Sequence, residues 1–199
     1  MKSKLGVAAL AAVSIMMFSA CSKSTTDGTP TPATGRGTTA QTTSSSGDKQ
    51  PTGNDLDITR YADKPCDLIK PDQLATLGNL KPGEPGKGPL GPTCTWSAQN
   101  PTRDNTYALS LVTRGNTLES MIENVKDDPV FKTTTVAGRD AYSTDNTDGT
   151  LDCGTGVKTS SKDAIFAQVT LGVEDTAKTG KSCQASERLA AIIIGNLGG

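Results

Sequence analysis

Two periodicities divide the hydrophobic positions of this chain. Runs rich in β-branched, aromatic and other apolar residues at 93–98, 107–113, 131–136, 140–144, 151–159 and 164–173 predict strands. The polar segment 100–105 supplies a turn between the first two. Elsewhere the period is helical. Leu118, Met121, Ile122 and Val125 recur at i, i+3, i+4 and i+7, and Asn116 with Glu119 forms a capping-box-like start. Residues 184–197 place Leu189, Ala190, Ile193, Ile194 and Leu197 on one helical face, with Gly198 as the stop. Pro71, Asp72 and Gly78 bracket a short helix over 71–78, because Pro suits a first turn and Asp the positive helix end. The Gly- and Pro-dense stretch 81–92 is expected to be a loop. Strands in runs with helices interspersed predict an α+β domain: an antiparallel sheet with helices packed on one face.

The first 54 residues follow other rules. Lys2 and Lys4 precede an uncharged, largely apolar run at 5–18. Its 14 residues are too few to span a membrane but suit the apolar core of a signal peptide. The run ends in Phe18-Ser19-Ala20-Cys21, which looks like a bacterial lipobox with Phe in place of the usual Leu. Residues 1–20 are therefore expected to be a lipoprotein signal peptide and Cys21 the acylated first residue after cleavage, anchoring the chain to the cell membrane on its extracytoplasmic face. Two or three acyl chains, at roughly 0.8 kcal/mol per buried CH₂, anchor stably. Residues 22–54 contain 5 Ser, 10 Thr, 5 Gly and 3 Pro among 33 positions, so they cannot bury enough apolar surface to offset ordering. Residues 21–54 are expected to form a disordered tether spanning roughly 30 Å. Residues 55–199 then form a single extracytoplasmic domain.

Composition narrows the chemistry. Lys plus Arg is 20 against 21 for Asp plus Glu, which excludes bulk electrostatic binding to nucleic acid. The chain has no His, so neither a Ser-His-Asp nor a Cys-His catalytic arrangement exists. Four Cys remain beside Cys21: Cys66, Cys94, Cys153 and Cys183. In an exported protein they are expected to form disulfides, with three pairings open. The nearest-neighbour pairing closes two loops of similar size. The spacings of 28, 59 and 30 contain no close Cys pair, which argues against zinc. Trp96 lies two residues from Cys94, on the same strand face, and is expected to pack beside its disulfide.

Other motifs fall short. Gly83-Glu84-Pro85-Gly86-Lys87-Gly88 lacks the P-loop spacing, and Pro85 removes a needed N–H. Asp145, Asn146, Asp148 and Asp152 surround Gly149, yet lack the calcium-loop pattern and suit a polar turn equally. Neither G-x-S-x-G nor, in residues 55–199, Ser-x-x-Lys is present. No catalytic residue, metal ligand or cofactor is assigned, and the protein is expected not to be an enzyme.

Three local patterns carry a resemblance: Pro65-Cys66-Asp67-Leu68-Ile69 leading to Leu74-Ala75-Thr76-Leu77-Gly78; Cys94-Thr95-Trp96; and Val136-Ala137-Gly138-Arg139-Asp140-Ala141 ahead of Cys153. A last Cys183, followed by Leu189-Ala190, begins the final helix. With the lipobox and tether, this order resembles an actinobacterial lipoprotein family catalogued as a domain of unknown function, DUF3558. The resemblance covers roughly residues 60 to 197. It implies a cell-envelope lipoprotein with disulfides and supplies no catalytic residues. By looser analogy the element order is similar to PsbP/Mog1-type α+β folds. The function expected is a non-catalytic binding, sensor or accessory module that recognises an envelope protein or small ligand. The alternative is a carrier holding an apolar molecule between sheet and helices.

Overall fold

The computed structural model describes residues 55–198. The signal segment 1–20, Cys21 and the tether to residue 54 lie outside the described residues. Seven strands form one antiparallel sheet: β1 (Glu84–Lys87), β2 (Pro92–Trp96), β3 (Thr106–Val112), β4 (Val130–Val136), β5 (Arg139–Asp145), β6 (Asp152–Lys158) and β7 (Ala164–Thr170). Their order across the sheet is β1-β2-β3-β7-β6-β5-β4, so β7 closes the sheet between β3 and β6. The helices are α1 (Pro71–Ala75), α2 (Leu118–Val125), α3 (Val173–Lys178) and α4 (Ser182–Leu197). The α+β class and the antiparallel sheet are as the sequence predicts, but the helices do not all pack on one face: α4 covers one side and α2 lies on the other.

Period-two alternation gives each strand two faces. Tyr107, Leu109 and Leu111 of β3 share one core with Ile165, Ala167 and Val169 of β7. Leu189, Ala190, Ile193, Ile194 and Leu197 of α4 cover that face, joined by Ile58, Leu68, Ile69 and Leu77 from the segment before the sheet. Gly198 ends α4 with φ 93°, in the left-handed region that glycine adopts without penalty. The α4 face is the helical face that the sequence anticipates. The intervening residues point the other way. There Val112, Tyr142 and Ala164 meet Leu118 and Met121 of α2 in a second, smaller cluster. An eight-residue helix cannot span seven strands, so α2 covers only part of this second face.

Three local expectations are corrected. Residues 84–87, expected within a loop, form the edge strand β1, with Pro85 opposite Cys94. An edge strand tolerates Pro because its lost N–H need not join the ladder. The cap of α2 is Thr117 rather than Asn116. Thr117 Oγ1 accepts from the Ser120 amide at 3.2 Å, and Ser120 Oγ accepts from the Thr117 amide at 2.9 Å. The strand expected over 164–173 stops at Thr170, and Val173 opens α3. The Gly172 amide donates to Asn105 Oδ1 at 2.7 Å, which turns the chain out of the sheet.

Two connections matter below. The β4–β5 hairpin turns through Ala137 and Gly138, both at positive φ (50° and 77°), as a tight antiparallel hairpin requires. The chain enters the domain beside the β6–β7 turn, where the Leu56 amide donates to the Thr159 carbonyl at 2.8 Å.

Candidate functional site

The cysteines assigned from sequence are structural. Cys66–Cys94 ties the turn Pro65–Leu68 to β2, and Cys153–Cys183 ties β6 to the start of α4, with Cα–Cα distances of 5.2 and 4.9 Å. This is the nearest-neighbour pairing. Trp96 is buried and packs beside the first bridge. A Cβ on Gly83 would sit 2.6 Å from its Nε1 and 2.8 Å from Cys94 Sγ.

A hydroxyl chain fastens α4 to the sheet. Ser143 Oγ donates to Glu187 Oε1 at 2.9 Å and pairs with Thr155 Oγ1 at 3.1 Å, which pairs with Ser186 Oγ at 2.7 Å. Ser143 and Ser186 are 2% and 0% exposed, so no substrate reaches either hydroxyl. Their bonds satisfy polar groups that would otherwise be costly in a core. The acidic turn considered for calcium is likewise satisfied internally. Asp145 Oδ2 accepts from the Thr147 and Gly149 amides, both at 3.1 Å, and Asp148 Oδ1 from the Thr150 amide at 3.0 Å. The Thr150 hydroxyl bond, with that amide bond behind it, lowers the Asp148 pKa. Among the described residues, no group of three or more His, Cys, Asp or Glu is placed to hold a metal ion.

The open face of the sheet holds the concave surface. Phe131, Tyr142 and Phe166 form a row across β4, β5 and β7, with ring centroids 6.1 and 6.3 Å apart. Phe166 and Tyr142 lie over β6, which makes room for them with two glycines. A Cβ on Gly154 would sit 2.2 Å from the Phe166 ring, and one on Gly156 would sit 2.4 Å from the Tyr142 ring. Burial, with the Asp128 carboxylate adding to it, raises the Tyr142 phenol well above its usual pKa.

Two open concavities meet at Phe166 and Gln168. The first, about 370 Å³, is lined by Asp128, Thr144, Asp145, Asn146 and Asp152, with no Lys or Arg among the described residues of its wall. Thr144 Oγ1 donates to Asp128 at 2.7 Å, and Thr170 Oγ1 donates to Asp152 at 2.5 Å. The second, about 390 Å³, is lined by Pro89, Leu90, Thr93, Thr95, Ala108 and Ser110. One end of the surface is thus acidic and rich in acceptors, and the other is apolar with hydroxyls. Phe166 projects between them, partly exposed, and Gln168 is exposed.

Sequence reasoning grouped Asp145, Asn146 and Asp152 as an acidic turn, but it did not bring them to Asp128, Thr144, Phe166 and Gln168. The readable signal is Gly154-Thr155-Gly156 within a strand: alternate glycines on one face make space for rings carried by neighbouring strands.

Comparison with curated proteins gives no match, and comparison with solved structures gives none. A family model described as a protein of unknown function, DUF3558, matches residues 16–196, and the chain belongs to that family.

Proposed function

We propose that this chain is a cell-envelope lipoprotein, acylated at Cys21, whose domain 55–199 is a non-catalytic binding, sensor or accessory module working through the open face of its sheet. One observation carries the reading: the paired concavities at Phe166 and Gln168, on the face that α4 leaves free. Concave surfaces combining apolar and convergent polar groups are the usual seats of ligands. The acidic end suits a hydrogen-bond donor or cation, and the end at Leu90 and Ala108 suits an apolar group. The carrier reading requires an enclosed apolar pocket, whereas both concavities here open to solvent. The lipobox Phe18-Ser19-Ala20-Cys21 supports the anchor.

Two measurements test the proposal. Native mass spectrometry of protein extracted from its own membrane is expected to show an acylated chain with both disulfides formed. A retained apolar adduct would instead favour the carrier. A photo-crosslinker placed at Gln168 is expected to capture a partner that the same group at Arg188, on α4, does not. Equal capture from both faces would sink the open-face assignment.

A further inference from the structure

The two edges of the sheet are finished differently. β1 has four residues and includes Pro85, which has no N–H to offer, and Gly88-Pro89 follow it. Shortness and proline are ordinary protections of an edge. β4 has seven residues, Val-Phe-Lys-Thr-Thr-Thr-Val, without Pro or Gly. It pairs with β5 at every position, from Val130 opposite Asp145 to Val136 opposite Arg139, without a bulge. The tight Ala137-Gly138 turn holds that register. Among the described residues, no other segment hydrogen-bonds to the backbone of β4 along its outer side. The edge is long, unbulged and strongly β-prone, with Lys132 its one charge.

The side-chain pattern suits a second copy of the same strand. Read antiparallel about Thr133, Val130 meets Val136, Phe131 meets Thr135, Lys132 meets Thr134, and Thr133 meets itself. Aromatic with β-branched and Thr with Thr are favourable cross-strand neighbours. No like charges stand directly opposite. The two Lys132 fall on a diagonal, at about 7–8 Å. On the same face, Glu187 is bonded to Ser143, the residue directly across from Lys132. We propose that two copies of this chain pair through β4, antiparallel about a twofold axis at Thr133, so that their sheets join edge to edge. Such an isologous contact closes on itself and leaves no free β4 edge. It lies at the far side of β5 from the Phe166 groove and does not depend on what that groove binds.

Sedimentation velocity of the full chain, from about 1 to about 100 μM, is expected to show a concentration-dependent dimer, the range a contact of this size serves. Thr133 is exposed, so Thr133→Lys leaves the monomer folded while placing two like charges face to face on the axis. The dimer dissociation constant is expected to rise about tenfold or more, equivalent to about 1.4 kcal/mol. Thr133→Glu alone is expected to do the same. Mixing the two variants is expected to restore association, which a merely misfolded variant would not do. A chain monomeric throughout the range, or a dimer indifferent to Thr133→Lys, overturns the proposal. So does a Thr133 crosslink leading to a different protein while the chain stays monomeric.

Discussion

At the scale of single residues, the open face depends on side chains that are missing. Gly154 and Gly156 supply nothing but space, and the Phe166 and Tyr142 rings occupy it. Gly154→Ala forces the Phe166 ring off the strand, so urea denaturation should show a loss of about 1–3 kcal/mol, the usual range for overpacking. Adding Phe166→Ala removes the clash. The double variant is therefore expected to be more stable than the two single losses would sum to, and a strictly additive result would contradict the packing described. Tyr142 gives a second prediction. Its phenol ionises near pH 10 when unfolded, but burial keeps it protonated beyond that pH in the folded domain. From about pH 10 upward the unfolded state therefore holds fewer protons than the folded one. Stability falls as pH rises, by up to about 1.4 kcal/mol per pH unit from this group. Tyr142→Phe should flatten the alkaline limb without changing stability much at pH 7. Matching limbs in both proteins would mean that the phenol is not buried as described.

At the scale of elements, legibility followed regularity. The strands at 107–112, 131–136 and 164–170 were readable because β-branched and aromatic residues crowd them, and α4 because its apolar stripe is long. β1 was hidden because Glu-Pro-Gly-Lys has no strand propensity and exists only through its pairing with β2. α3, only six residues of Val-Glu-Asp-Thr-Ala-Lys, carries no apolar stripe, and the strand-like run before it masked its start. The cap of α2 slipped by one residue because Asn116 and Thr117 are both good caps, and only the backbone angles separate them. That cap has a measurable weight. Thr117→Ala is expected to cost about 1 kcal/mol and to speed hydrogen exchange in α2 more than in α4. Uniform exchange across both helices would show that the cap is not what holds α2. Losing α2 would also uncover Tyr142 and Val112, so groove and helix are coupled through one small cluster.

At the scale of the whole molecule, the two faces of the sheet are held by different means. Both disulfides, the hydroxyl chain and the larger core lie on the α4 face. Removing either bridge is expected to cost about 3–4 kcal/mol on the chain-entropy account, since each closes a loop of about thirty residues. Cys153→Ser with Cys183→Ser should lower the melting temperature, and dithiothreitol should lower that of the parent protein. A melt indifferent to reductant would contradict the pairing. The fold class, the oxidation of the four cysteines and the burial of Trp96 were legible because each follows from periodicity or from the chemistry of Cys. Which cysteine meets which stood open among three pairings until the structure paired nearest neighbours. The groove was not, because face assignment rests on which strand lies beside which, and the placement of β7 between β3 and β6 is a long-range outcome. The point where Leu56 joins the domain has one more consequence. It lies beside Thr159, at the turn that links β6 to β7. Asp152 and Thr170, which wall the acidic concavity, stand at the opposite ends of those same two strands. Seven residues of strand, roughly 20 Å, separate them. The domain thus has a proximal pole, where the preceding chain attaches, and a distal pole, where the acidic hollow opens. Any leash on residue 55 would therefore join the domain at the pole away from that hollow, leaving the hollow clear of the attachment point.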